Sequence, residues 1–126
     1  MAAPLVNTRT LGKLDHFDGG ASEWEDWSFR ATAWMTLLRG GTVDVDCCLL
    51  HARAQAAPIT RSTYGNDVDQ AGVVIYNALI QALRGRALSI AKSVEKGNGW
   101  ECWRRLYREY EPDSGQRLMS ILVGIV

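Results

Sequence analysis

The sequence predicts an all-α fold, a single bundle of about five to six helices. Three observations carry that expectation. Apolar side chains recur at steps of three and four along most of the chain, the spacing that lines one face of a helix. A short polar residue with an acid or Gln three positions later precedes several of these stripes, a sign of a helix start. The pairs are Ser22–Glu25, Asn66–Asp69, Asn98–Glu101 and Asp113–Gln116. Clusters of Gly, Pro, Asn and Asp separate the stripes.

Residues 1–20 read as an extended arm, ending in the turn signal "FDGG" with Phe17 as its one apolar anchor. The first helix spans about residues 23–39, capped by Ser22 and closed by Gly40 and Gly41. Its stripe is Trp24, Trp27, Ala31, Trp34 and Leu38. The second spans about 43–56, with Thr42 as cap and Cys47, Leu50 and Ala54 on the inner face. A loop from Pro58 to Asp67 follows. The third helix is capped by Asn66 and carries Val73, Tyr76, Leu79, Ile80 and Leu83. Its β-branched Val73, Val74 and Ile75 favour a strand, but the length of the run and its flanking alanines favour a helix. Gly85 breaks it, and a fourth helix over about 86–96 presents Leu88, Ala91 and Val94. Asn98 caps a fifth helix with Trp100, Trp103, Leu106, Tyr107 and Tyr110 on one side, and Pro112 closes it. A sixth, begun by Asp113, holds Leu118, Ile121, Leu122 and Ile125 and reads as cut mid-way. Residues 21–126 are then expected to form one helical domain, truncated at its C-terminal end.

Composition narrows the function. The chain has 126 residues, 47% of them hydrophobic, enough for one core without disulfides or metals. Formal net charge is zero, so the clear basic excess of a strong nucleic-acid binder is missing. The charge is uneven, however: residues 1–70 hold nine acids and six bases, and residues 71–126 hold five acids and eight bases. Opposite signs at the two halves favour head-to-tail attraction between copies. Three cysteines, Cys47, Cys48 and Cys102, make a poor disulfide framework and fit a reducing intracellular compartment, expected to be the cytoplasm. No apolar run has the length of a membrane span, and no spacing of Cys and His is of the zinc type.

No stretch supplies a catalytic constellation, a cofactor loop or a metal ligand set, so a non-enzymatic protein is expected. His16 and His51 are isolated, and Cys47 and Cys48 read as core filling. "DSG" at Asp113–Gly115 matches the short signature of aspartic proteases, but its place before an apolar helix makes a cap the simpler reading. The stretch "NGWECWRRLYREYEP", Asn98 to Pro112, offers two opposed readings. Its arginines and aromatics have the chemistry to bind phosphates and stack on bases. A capped amphipathic helix fits better, because Glu101, Glu109 and Glu111 offset Arg104, Arg105 and Arg108, and Arg105 is placed to pair with Glu109 on the solvated side.

Three blocks, in order, resemble the Gag polypeptide of copia-type long-terminal-repeat retrotransposons. "FDGGASEWEDWSFRATAWM" resembles its Phe-x-Gly turn and Trp-bearing first helix. "IYNALIQALRGRALSIAKSV" resembles its middle helix pair, and "GWECWRRLYREYEPDSGQRLMSIL" its later W-x-x-L-x-x-x-Y and R-L-x-x-L block. The matching positions in the last are Trp103, Leu106, Tyr110, Arg117 and Leu118, with Ile121 in place of the final leucine. The likeness covers about residues 14–123. It implies a capsid-like helical domain that self-associates and packages the element's RNA, with only weak RNA contact of its own where no zinc knuckle is present.

The expected core is Phe17, Trp24, Trp27, Trp34, Tyr76, Leu79, Leu83, Trp103, Leu106 and Tyr110. The leading expectation is a homo-oligomeric assembly domain. A rival is an RNA-binding module whose basic face joins Arg84, Arg86, Lys92, Lys96, Arg104, Arg105 and Arg108. An unrelated helical adaptor is the third reading.

Overall fold

The computed structural model describes residues 13–38, 43–61 and 63–111, and these form an all-helical bundle. A single 3₁₀ turn, Ala21–Glu23, leads into α1, Trp24–Thr36. Then come α2, Val45–Ala54; α3, Asn66–Ala82; α4, Gly85–Lys92; and α5, Gly99–Tyr110. These are the five expected helices, and no strand is present among the described residues. The sixth helix, Thr42, the Gly40–Gly41 stop and Pro112 lie outside the described residues.

α5 is the strut of the bundle: it packs against α2, α3 and α4. Its aromatic side meets α1 and the arm. Trp103 lies 5.7 Å from Trp24, Trp24 lies 5.5 Å from Tyr110, and Tyr110 meets Phe17 edge-on at 5.0 Å. Such offset and edge-on pairs each add about 0.5–1.5 kcal/mol beyond the apolar area they bury. The indoles also find acceptors. Trp27 Nε1 donates to the Asp15 carbonyl, Trp100 Nε1 to the Val68 carbonyl, and Trp24 Nε1 to Glu111.

Leu14 and Phe17 anchor the segment 13–20 in this core. Phe17 is 1% exposed, and its amide donates to the Ala82 carbonyl at 3.0 Å. The Arg84 amide returns a 2.8 Å bond to the Phe17 carbonyl, so the segment bridges the junction of α3 and α4. Gly85 makes that junction possible. Its φ is +57°, and a Cβ there would come within 2.7 Å of the Asp18 carbonyl oxygen.

Several local expectations are corrected. Ser22 does not cap α1; it lies inside the 3₁₀ turn, and no side chain caps either element. α2 is capped by Asp44, whose carboxylate accepts from the Cys47 amide at 3.0 Å. α2 buries Val45, Leu49 and Ala52, while Cys47, Leu50 and Ala54 face outward. The cysteine pair is therefore not core filling, since Cys47 is exposed and Cys48 half-buried. Asn66 is the first residue of α3 and makes no cap bond, the capping position falling on Gly65. Trp34 is only half-buried at the edge of the core, and Met35 fills the buried position. At about 100° per residue, Met35 stands almost in line with Trp24, and Trp34 a step to the side. The other nine expected core residues are all buried.

α3 and α5 touch backbone to backbone. A Cβ on Gly99 would meet the Gly72 carbonyl oxygen at 2.3 Å and the Tyr76 amide nitrogen at 2.7 Å. Neither neighbour is a flexible side chain, so the helices must separate if a methyl is added. Gly99→Ala is expected to lower stability by at least the upper end of about 1–3 kcal/mol, the usual cost of overpacking. Trp103→Ala, at 1% exposure, is expected to cost about 3–5 kcal/mol. Denaturant melts of the two variants measure both.

Candidate functional site

The basic stretch of α5 carries part of the nucleic-acid face of the rival reading, and its chemistry begins with the cap. Asn98 Oδ1 accepts from the Glu101 amide, as expected of a helix start. Glu101 does not return the favour to Asn98. Its carboxylate, 3% exposed, faces the bundle and gathers donors from two elements. Oε1 accepts from the Ile59 amide and from Arg104 Nε, each at 2.7 Å. Oε2 accepts from Arg104 Nη2 at 2.9 Å and Arg105 Nε at 2.7 Å. The Asn98 side-chain amide donates to the Ile59 carbonyl at 2.9 Å. Both backbone polar groups of the buried Ile59 are thereby satisfied from the start of α5.

Burial alone pushes the Glu101 carboxyl upward. The Arg104 guanidinium, the Ile59 amide and the Arg105 guanidinium outweigh it and hold the pKa below the ordinary value. Arg104 is itself only 5% exposed, so it lies in the core and not on a nucleic-acid face. The expected Arg105–Glu109 pair is absent as well: Arg105 pairs with Glu101, and Glu109 pairs with Arg86 of α4 at 2.7 Å.

The remaining cations of the expected basic face divide into two groups. Arg105 also reaches the Ser93 hydroxyl at 3.0 Å, Arg108 the carbonyls of Gln55 and Ala56, and Arg84 the carbonyls of Gln81 and Leu83. Each of these ties one segment to another or closes a helix end. Lys92 and Lys96 differ: they are exposed and form no ion pair among the described residues. Arg61, which had no expected role, clamps Asp69 with two bonds of 2.8 and 3.1 Å and so anchors the loop before α3.

The surface feature that the sequence reading missed is Phe29, 78% exposed on the outer side of α1. It borders a cleft of about 570 Å³ between α1, α2 and the end of α5, where Asp46, Arg53, Tyr107 and Glu111 meet. A helical wheel held the signal: Phe29 stands about 140° from Trp24, away from the buried stripe. A smaller apolar cleft of about 200 Å³ lies between Cys48, His51, Tyr64 and Trp100, closed on one side by a 2.9 Å His51–Tyr64 hydrogen bond. Cys102 carries no reactive chemistry, as burial pushes its thiol up to about 12. Among the described residues no cluster of His, Cys, Asp and Glu could hold a metal ion, and no helix is long and apolar enough to cross a membrane.

Glu101→Gln is expected to cost about 3–5 kcal/mol at neutral pH, because it leaves Arg104 buried without its counter-charge. The folded-state pKa of Glu101 is depressed, so its contribution is complete above the unfolded carboxylate value of about 4.3. It is lost as pH falls through the folded value. The stability gap between the parent and Glu101→Gln, measured by urea melts, is therefore expected to narrow below about pH 4.3. A gap constant with pH would contradict the assignment.

The chain matches no protein-family model, no curated protein and no solved structure.

Proposed function

We propose that this chain is a Gag-like helical assembly domain, working by association with copies of itself and without chemistry. The observation that carries the reading is the use made of the arginines. Arg84, Arg86, Arg104, Arg105 and Arg108 bind carbonyls and carboxylates of their own bundle. The stretch with the most nucleic-acid character thus acts as internal framework. What the surface offers instead is an exposed aromatic on α1 and helices of opposite charge, the materials of a protein–protein contact. The order of the three sequence blocks supports the Gag comparison in particular.

Sedimentation velocity across a concentration series tests it. The weight-average mass is expected to rise above the 14.0 kDa of one chain as concentration increases. A mass fixed at one chain throughout would contradict the proposal. The RNA-binding rival is separated by salt. If Lys92 and Lys96, the cations of the expected basic face that are not engaged within the bundle, are the contacts, two phosphates at about −0.7 each give a slope of log K against log salt near −1.4 on single-stranded RNA. A much steeper slope would restore RNA binding as the principal function.

A further inference from the structure

The assembly reading leaves open which surfaces meet, and two faces of the bundle complement each other in charge and shape. On α1, Glu25, Phe29 and Ala33 follow at steps of four and share one exposed side, with Asp26 beside them. From Ala21 to Thr36 the charges are Glu23, Glu25 and Asp26 against Arg30, a net of −2. Arg30 faces Asp15 at 3.6 Å, which withdraws part of that one positive charge. The second face is α4 and the turn after it. From Arg84 to Lys96 the charges are Arg84, Arg86, Lys92 and Lys96 against Glu95, a net of +3. Arg86 is engaged by Glu109 and Arg84 by backbone carbonyls, which leaves Lys92 at the end of α4 and Lys96 in the turn after it as the exposed, unengaged cations of this stretch. There Leu88, half-buried, stands one turn before Lys92, and Ser89 and Ser93 keep the helix surface low.

We propose that the Glu25–Phe29–Ala33 face of one copy docks on the Leu88–Ser89–Lys92 face of the next. This rests on the assembly reading and specifies its contact. Phe29 supplies the aromatic anchor, seated on Leu88 and the small Ser89. Glu25 and Asp26 meet Lys92 and Lys96 around it. A rim of opposite charges steers encounter and sets the register, while the ring supplies most of the affinity. The two faces belong to different helices, α1 packing on α2 and α4 on α3 and α5. The contact as proposed is head-to-tail: each copy offers one face and accepts on the other, an arrangement that builds rings or filaments.

Two variants and their mixture test this. Phe29→Asp spoils the donor face, and Lys92→Glu with Lys96→Glu spoils the acceptor face. All three positions are exposed, so thermal melts by circular dichroism are expected to match the parent. Each variant alone is expected to sediment as one chain at concentrations where the parent associates. Mixed, they retain one good donor and one good acceptor, and a 1:1 heterodimer that grows no further is expected. If the parent associates and both variants associate equally well, the proposed contact is wrong and the assembly reading stands. If the parent never associates, both fall. If the lysine variant loses RNA binding while its self-association is unchanged, α4 is an RNA surface and the contact is overturned.

Discussion

Glu101 is the constraint on which the rest of the structure depends. A carboxylate at 3% exposure is tolerable as an anion only when its lone pairs are filled, and four N–H groups fill them: one from Ile59, two from Arg104 and one from Arg105. Each donor has a structural consequence. Ile59 pins the loop between α2 and α3 onto the start of α5, and Arg61 on the same loop then clamps Asp69 of α3. Arg105 carries the link on to Ser93 at the end of α4. The planar guanidinium of Arg104 engages both carboxylate oxygens, a geometry that a lysine ammonium does not reproduce. The α2–α3 loop and the end of α4 are thus registered to α5 around one buried charge.

The second half of that registration is apolar. On the other side of α5, Trp103 and Tyr110 meet Trp24, Trp27 and Phe17 in a continuous aromatic layer. The arm reaches this layer because Phe17 exchanges two backbone bonds with the α3–α4 junction. α5 therefore resembles a beam with a polar side that fixes loops and an aromatic side that fixes α1 and the arm. Its arginines and tryptophans, which together look like a nucleic-acid grip, are divided between these two structural tasks.

The helices were legible in the sequence because apolar periodicity is a local signal, and five elements appear where it placed them. The Asn98 cap was legible for the same reason. What failed was the choice among competing partners, some one turn away and some across the bundle. Ser22–Glu25, Asn66–Asp69 and Asn98–Glu101 share one grammar, yet Asp69 is taken by Arg61 and Glu101 by Ile59, Arg104 and Arg105. An acid three residues after a cap reads alike whether it reaches back or across the bundle. α2 has apolar residues on two sides, and which side turns inward is decided by its packing on α5. Phe29 escaped notice because the tryptophan stripe beside it dominates the pattern, although its angle on the wheel marks it as outward-facing.

Native-state hydrogen exchange of α5 tests this account most directly. If the helix is the beam of the bundle, the amides of Cys102 to Leu106 exchange only by global unfolding. Their opening free energies then equal the global stability and fall with denaturant at the global slope. Exchange of these amides through a smaller opening, with α1 and α3 still protected, would contradict the account. It would show that α5 is a peripheral helix whose arginines are available for a partner.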